Sequence, residues 1–325
     1  MSTLTEIAHT MVSNRRGILA ADESVGTMSK RLETVGVDPT EESRRSYREL
    51  LVTTPELSES ISGAILSDET FSQKLSDGST FPDALARLGV LAGIKVDTGA
   101  KPLAGAPDEK VTEGLDGLRD RLEEYVGLGA SFTKWRAAFA VSDILPTDRA
   151  IHANAHALAR YAGLSQEAGL VPIVEPEVVM DGDHSQERCR IVTRAVLRAV
   201  FIELNRMEVQ LDGIVLKPNM VVAGSDCADQ PEAAEVARVT VDTLRDAVPP
   251  AVPGIAFLSG GQEPEEATKN LAAMQDLAPL PWELTYSFGR ALVGPALETW
   301  QGQYDQWEAA QKALSERAVA NASAR

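Results

Sequence analysis

At 325 residues, with 44% hydrophobic and 24% charged side chains, the chain has the make-up of a globular protein that buries a large core, as one big domain or two ordinary ones. A formal net charge of −17 argues against nonspecific nucleic-acid binding, and no apolar run approaches the roughly 18 residues of a membrane span. Two cysteines far apart in sequence, Cys189 and Cys227, read as reduced thiols, so the expected location is the cytoplasm.

The first segment, "MSTLTEIAHTMVSNRR" (1–16), is amphipathic and lacks a secretory apolar core. It predicts an N-terminal helix capped near Ser2 or Thr3. Eight short apolar runs then follow, each ending in polar or charged residues. They are "GILAAD" to Asp22, "GAILSDE" to Glu69, "GIKVD" to Asp97 and "FTKWR" to Arg136, then "VPIVEPE" to Glu177, "GIVLKP" to Pro218, "GIAFLSGG" to Gly261 and "ELTYSFGR" to Arg290. Runs of this length, bounded by Gly and Pro, read as buried strands.

The intervals carry helical periodicity. Leu115, Leu118, Leu122 and Tyr125 fall on one face of 114–127, as do Val236, Val239 and Thr243 of 231–248. A longer helix is expected over 183–207, capped by Asp183 or Ser185. A last one occupies about 308–325 with a short frayed tail, tolerant of truncation over 320–325. No linker divides the chain. Eight strands alternating with helices predict an α/β fold, a single (β/α)8 TIM barrel spanning 1–325 with an N-terminal helix.

In that architecture chemistry sits at the C-terminal ends of strands. Those ends carry Asp22, Lys95, Lys134, Arg136, Glu175, Glu177, Lys217, Ser259 and Arg290. Residues i and i+2 of a strand share a face, which puts Lys134 beside Arg136 and Glu175 beside Glu177. "SGGQ" and "SFGR" follow the seventh and eighth strands, where exposed backbone N–H groups and Arg290 can hold a phosphate.

Lys217 closes an apolar strand, where an ammonium is costly. Burial and nearby cations (Lys134 and Lys95) favour the neutral amine, a nucleophile that condenses with ketones to a Schiff base. The carboxylates of Asp22, Glu175 and Glu177 are placed for proton transfer. His152 and His156 have i, i+4 spacing but no third ligand in sight, so structural roles are expected and no metal site is assigned. "DGDH" (181–184) reads as a turn leading into a helix.

The sequence resembles the class I fructose-bisphosphate aldolases along nearly its whole length. The motifs are "GILAADES" (17–24), "GIKVD.G..PLAG" (93–105), "GLDGL" (114–118), "KWR" (134–136), "ARYA" (159–162), "VPIVEPE" (171–177), "DGDH" (181–184), "LKPNMV" (216–221), "VPPAVPGIAFLSGGQ" (248–262) and "SFGRAL" (287–292). The resemblance implies a cytosolic glycolytic lyase. It would cleave fructose 1,6-bisphosphate reversibly to dihydroxyacetone phosphate and glyceraldehyde 3-phosphate, with no cofactor or metal.

By matching motif Lys217 is the Schiff-base lysine and Glu175 the acid/base for carbinolamine dehydration. Glu177, Lys134 and Asp22 orient and tune the intermediates, and Asp22 helps take the hydroxyl proton that drives C–C cleavage. Lys95 and Arg136 contact the sugar and its distal phosphate. Ser24 matches a distal-phosphate serine, followed by Lys30 and Arg31. Ser259, Gly260, Ser287, Gly289 and Arg290 hold the phosphate next to the ketone. The family also implies a homo-oligomer, a tetramer or smaller. Sedoheptulose 1,7-bisphosphate and fructose 1-phosphate stand open as further substrates, and a noncatalytic phosphosugar-binding barrel as the competing class.

Two features depart from the family. Its animal and plant members carry a mobile C-terminal tail ending in a tyrosine that assists enamine protonation. This sequence ends "ERAVANASAR", and its last tyrosine, Tyr304, falls in a predicted helix. That implies protonation by Glu175, Glu177 or water. Thr27 and Phe288 replace a common serine and tyrosine; the threonine keeps the hydroxyl, and the backbone N–H at 288 is independent of the ring.

Overall fold

The computed structural model describes residues 3–324. In chain order its strands are β1 (Gly17–Ala21), β2 (Ile61–Leu66), β3 (Leu91–Lys95), β4 (Gly99–Leu103), β5 (Ala106–Glu113), β6 (Phe132–Phe139), β7 (Val171–Val178), β8 (Val215–Leu216), β9 (Gly254–Phe257) and β10 (Glu283–Phe288). All but β4 and β5 pair in parallel and close into an eight-stranded barrel in the order β1-β10-β9-β8-β7-β6-β3-β2. Each of the eight apolar runs supplies one barrel strand.

The two remaining strands form an antiparallel hairpin outside the barrel, which the sequence reading did not foresee. Pro102 and Pro107 lie in its strands, and proline argues against an interior strand. The hairpin tolerates both because it is two-stranded and largely exposed.

Helix α1 (Leu4–Val12) is shorter than the 1–16 expected. Thr3 caps it in a reciprocal capping box with Glu6; a start at Ser2 lies outside the described residues. Asn14 and Arg15 adopt left-handed backbone (φ 60° and 58°), which ends the helix and turns the chain into β1. The buried face of α1, Ala8, Met11 and Val12, packs under the barrel against Ile18, Phe132, Ile173 and Ala256. Phe132 fills the interior so completely that a Cβ on Gly93 would lie 2.1 Å from its ring. A larger core lies between the barrel and its helices, centred on side chains such as Trp135, Tyr161, Phe257 and Phe288.

The helical faces read from periodicity are buried: Leu118, Leu122 and Tyr125 in helix 118–127, and Val236, Val239 and Thr243 in helix 233–247. Leu115 precedes its helix. Ser185, not Asp183, caps the helix that follows "DGDH", accepting from the Arg188 N–H.

Two expectations about the end of the chain need correction. Tyr304 lies in a one-turn 3-10 segment, not an α-helix, and is 88% exposed. The last helix runs from Trp307 to Ser323, so residues 320–323 are helical instead of frayed. Asn321 is buried there and accepts from the Thr268 hydroxyl at 2.6 Å, and the Ala318 carbonyl accepts from the Tyr286 hydroxyl at 3.2 Å. These long-range partners hold the last turn in place. Residue 325 lies outside the described residues. Among the described residues no helix is long and apolar enough to cross a membrane.

Candidate active site

The C-terminal ends of β1, β6, β7, β8, β9 and β10 surround one cavity of about 210 Å3. Asp22 follows β1 directly. Lys134 lies within β6, and the register of β6 on β7 sets Arg136 opposite Glu175 and Ala138 opposite Glu177. Strand β8 is only two residues long. Lys217 therefore follows it instead of ending it, but its backbone N–H still donates to the Val174 carbonyl at 2.8 Å, which keeps the lysine in the barrel wall.

Four buried charged groups form a chain across the floor. Lys134 Nζ lies 2.7 Å from Asp22 Oδ2 and 3.0 Å from Glu175 Oε2, while Lys217 Nζ is 3.4 Å from Glu175 Oε1. Lys134 thus takes the short contacts to both carboxylates, and Lys217 keeps one long contact.

The consequence is a split between two buried lysines. Burial lowers the affinity of Lys134 for its proton, but Asp22 and Glu175 outweigh burial and raise its pKa well above the ordinary lysine value. For Lys217 burial dominates; Lys134 adds repulsion, Glu175 and Asp22 oppose it, and the pKa ends below the ordinary 10.5. Burial pushes Asp22 up, yet Lys134, Lys217 and Lys95 together hold it down at about 2. Glu175 likewise stays below the usual carboxylate range, because Lys134, Lys217 and Arg136 outweigh its burial.

The opposite wall is different in kind. Gly260 and Gly261 take left-handed backbone (φ 59° and 98°) in the turn after β9, conformations that glycine adopts without strain. Gly289 precedes helix 290–300, whose first N–H groups lack intrahelical partners. The Ser287 hydroxyl is buried on the cavity wall without a hydrogen-bond partner. Arg290 lines the cavity and donates to the Gly261 carbonyl at 3.1 Å.

Ten of the thirteen residues read from the sequence thus line the cavity: Asp22, Lys134, Glu175, Glu177, Lys217, Ser259, Gly260, Ser287, Gly289 and Arg290. Three do not. Arg136 is paired with Glu177 at the rim and is held more strongly protonated, burial notwithstanding, by that partner. Lys95 is turned onto Asp97, whose carboxylate also accepts from the Gly99 and Arg136 N–H groups. Ser24 caps helix α2 (Val25–Thr34), accepting from the Thr27 N–H, and lines a neighbouring depression with Thr27, Lys30 and Arg31.

Glu23 and Leu258 also line the cavity and were not singled out from the sequence. Glu23 follows Asp22 on the same strand end, which was its available signal. Arg31 lines the cavity as well as the depression.

The remaining candidates have structural surroundings. His156 pairs with Glu203 at 3.0 Å, and among the described residues no three His, Cys, Asp or Glu side chains converge on a metal-sized site. Cys189 is a free thiol that burial pushes up to about 11.

Residues 3–325 match the family model "Fructose-bisphosphate aldolase class-I". The chain is 53% identical over 319 residues to a probable fructose-bisphosphate aldolase class 1 of Xanthomonas campestris pv. campestris, covering 98% of this chain and 96% of that protein. It is 50% identical over 324 residues to human fructose-bisphosphate aldolase B, covering 99% of this chain and 89% of that protein. A solved fructose-bisphosphate aldolase from Plasmodium falciparum, in complex with TRAP and a small-molecule inhibitor, superposes with a TM-score of 0.97 at 46% identity over 99% of this chain and 93% of that one. A barrel closed as described, with buried lysines and carboxylates at its strand ends and these relatives at full length, belongs to the class I fructose-bisphosphate aldolase family.

Proposed function

We propose that Lys217 is the covalent nucleophile of this aldolase, and that the separation of the two buried lysines is what makes it so. The enzyme cleaves fructose 1,6-bisphosphate reversibly to dihydroxyacetone phosphate and glyceraldehyde 3-phosphate through a lysine Schiff base. A Schiff base needs one neutral amine, and the negative charge that develops on the substrate oxygens beside it needs one fixed cation. Lys217, with the lowered pKa, supplies the amine; Lys134, clamped by two carboxylates, supplies the cation.

The steps follow from these positions. The Lys217 amine attacks the ketone carbon. Glu175, a carboxylate in the free enzyme, takes a proton from the nitrogen and returns it to the leaving hydroxyl of the carbinolamine, so that water departs and an iminium remains. Asp22 takes the proton of the hydroxyl whose ionisation breaks the C–C bond, and the electron pair moves into the iminium to give an enamine. Protonation of the enamine by Glu175, Glu177 or water, and hydrolysis of the iminium, complete the cycle. Ser259, Gly260, Ser287, Gly289 and Arg290 hold the phosphate nearer the ketone, with the partnerless Ser287 hydroxyl as the donor that an anion would satisfy. Lys95, Arg136 and Ser24, outside the cavity wall, serve the sugar hydroxyls and the distal phosphate.

Borohydride reduction in the presence of dihydroxyacetone phosphate tests this assignment. Mass mapping is expected to place one reduced triose phosphate on the peptide containing Lys217, and Lys217→Met to abolish it with the fold intact. A stable adduct on Lys134 or Lys95 would overturn the reading. Because the Schiff base already acts as electron sink, turnover is expected to survive dialysis against EDTA. The proposal extends to a cytoplasmic enzyme in which 1–325 is one domain, assembled as a tetramer or smaller, which sedimentation would test.

A further inference from the structure

Glu23 is a buried carboxylate on the cavity wall with two guanidiniums on it, one per oxygen. Arg31, from α2, pairs with Oε1; it is 28% exposed and lines the cavity. Arg48, from helix α3 (Glu41–Val52), lies 2.6 Å from Oε2 and is 2% exposed. Its Nη1 lies 3.1 Å from the Met28 sulfur, its guanidinium sits 5.8 Å from the centre of the Tyr47 ring, and its Nε is buried without a hydrogen-bond partner. An arginine buried this deeply, and incompletely satisfied, is costly unless it does something a hydrophobic residue would not.

The charge count suggests what. One carboxylate and two guanidiniums leave one positive charge in surplus beside a cavity that takes a phosphate. If Arg31 leaves Glu23 for a phosphate oxygen, Glu23 keeps Arg48 and is never a buried charge without a counterion. Without Arg48, the same movement strands the carboxylate, and Arg31 is held back by the cost of doing so.

We infer that Arg48 is a positioning residue of this enzyme: a standby counterion for Glu23 that frees Arg31 to engage a phosphate of the substrate. The inference rests on the aldolase reading above, since it needs a phosphorylated substrate in the cavity. Arg48 touches no substrate; it acts through Glu23 on Arg31.

The test uses the full chain with Arg48→Met, Glu23→Gln and the double variant, each checked for fold by circular dichroism. For Arg48→Met, KM for fructose 1,6-bisphosphate is expected to rise about tenfold with kcat changed by less than about threefold, since only ground-state phosphate binding is impaired. Glu23→Gln releases Arg31, so KM is expected at or below that of the parent. The double variant has no carboxylate to strand, and its KM is expected to return to within about threefold of the parent.

A purely structural Arg48 would not be rescued by removing Glu23. An unchanged KM in Arg48→Met, a raised KM in Glu23→Gln, or a double variant no better than Arg48→Met would each overturn the inference. If Arg48→Met does not fold, the Glu23→Gln and double-variant arms decide it alone. Borohydride trapping on Lys217 is run in parallel. Trapping that persists while the KM pattern fails sinks this inference only, whereas absence of trapping in the parent sinks the aldolase reading itself.

Discussion

The two walls of the cavity handle their polar groups in opposite ways. On the β1, β6 and β7 side every charged group has an ion-pair partner of opposite charge: Asp22 and Glu175 share Lys134, Glu177 holds Arg136, and Glu23 holds Arg31 and Arg48. On the β9 and β10 side Ser287 has no hydrogen-bond partner and Arg290 reaches only a carbonyl. A fully paired wall can redistribute protons without gaining or losing net charge. A wall of unmet donors is a preformed receptor for an anion. The difference separates two tasks that a strongly acidic chain must reconcile: chemistry within a neutralised cluster, and capture of a doubly phosphorylated substrate by a local patch.

Removing the shared cation on the paired wall breaks the comparison hardest. Lys134→Met leaves Asp22 and Glu175 buried without their short partner, and breaking a buried pair from one side costs about 3–5 kcal/mol. The expected result is a large loss of stability in chemical denaturation, and a loss of turnover on the order of 10²–10³, the usual reach of one preorganised electrostatic group. An equal effect from Arg290→Ala would erase the distinction between the walls.

The next test concerns pH. The reactive amine must be neutral, so the rate of adduct formation rises with pH up to the depressed pKa of Lys217 and levels off before 10.5. Glu175 is the leading neighbour that holds a proton on Lys217. Glu175→Gln is therefore expected to move the inflection to lower pH while slowing dehydration. A shift to higher pH would contradict the assigned electrostatics.

On the open wall the effects are smaller and confined to binding. Arg290→Ala is expected to cost about 1.5–3 kcal/mol of substrate affinity, about ten- to 150-fold in KM for fructose 1,6-bisphosphate, with kcat little changed. Ser287→Ala sharpens the contrast most finely. It removes a buried hydroxyl that has no partner, so thermal stability is expected to hold or to rise by up to about 1 kcal/mol while KM increases about threefold. A fall in stability would mean that the hydroxyl is satisfied in the free enzyme.

What was legible in the sequence follows from how local each cause is. The barrel strands are largely buried on both faces, so most of them appear as short apolar runs, several bounded by glycine or proline, and polar residues intrude chiefly in β6 and β10. The position of chemistry at their ends follows from the fold, and ten of the thirteen nominated residues share one cavity. The hairpin 99–113 was hidden because its prolines argue against strands. The turn at Lys95, which points its amine at Asp97, depends on backbone after β3 that no pattern encodes. Glu23 was passed over because its partners Arg31 and Arg48 arrive from two helices 8 and 25 residues downstream. The ordered end of the last helix was missed for the same reason, since the contacts of Asn321 and Ala318 are to Thr268 and Tyr286.

The pairing of β1 with β10 has a consequence for how the molecule is made. The seam is sealed by partners as remote as Thr285 and Arg16, 269 positions apart. At synthesis rates of about 5–20 residues per second, β1 waits on the order of 13–54 s for β10 to be made, with one edge unpaired throughout. Helix α1, translated just ahead of β1 and packed beneath the same strand, is at hand from the start to shield its apolar residues. The barrel is therefore a ring whose clasp is forged last, and an unguarded edge strand is the hazard to which the nascent chain is most open.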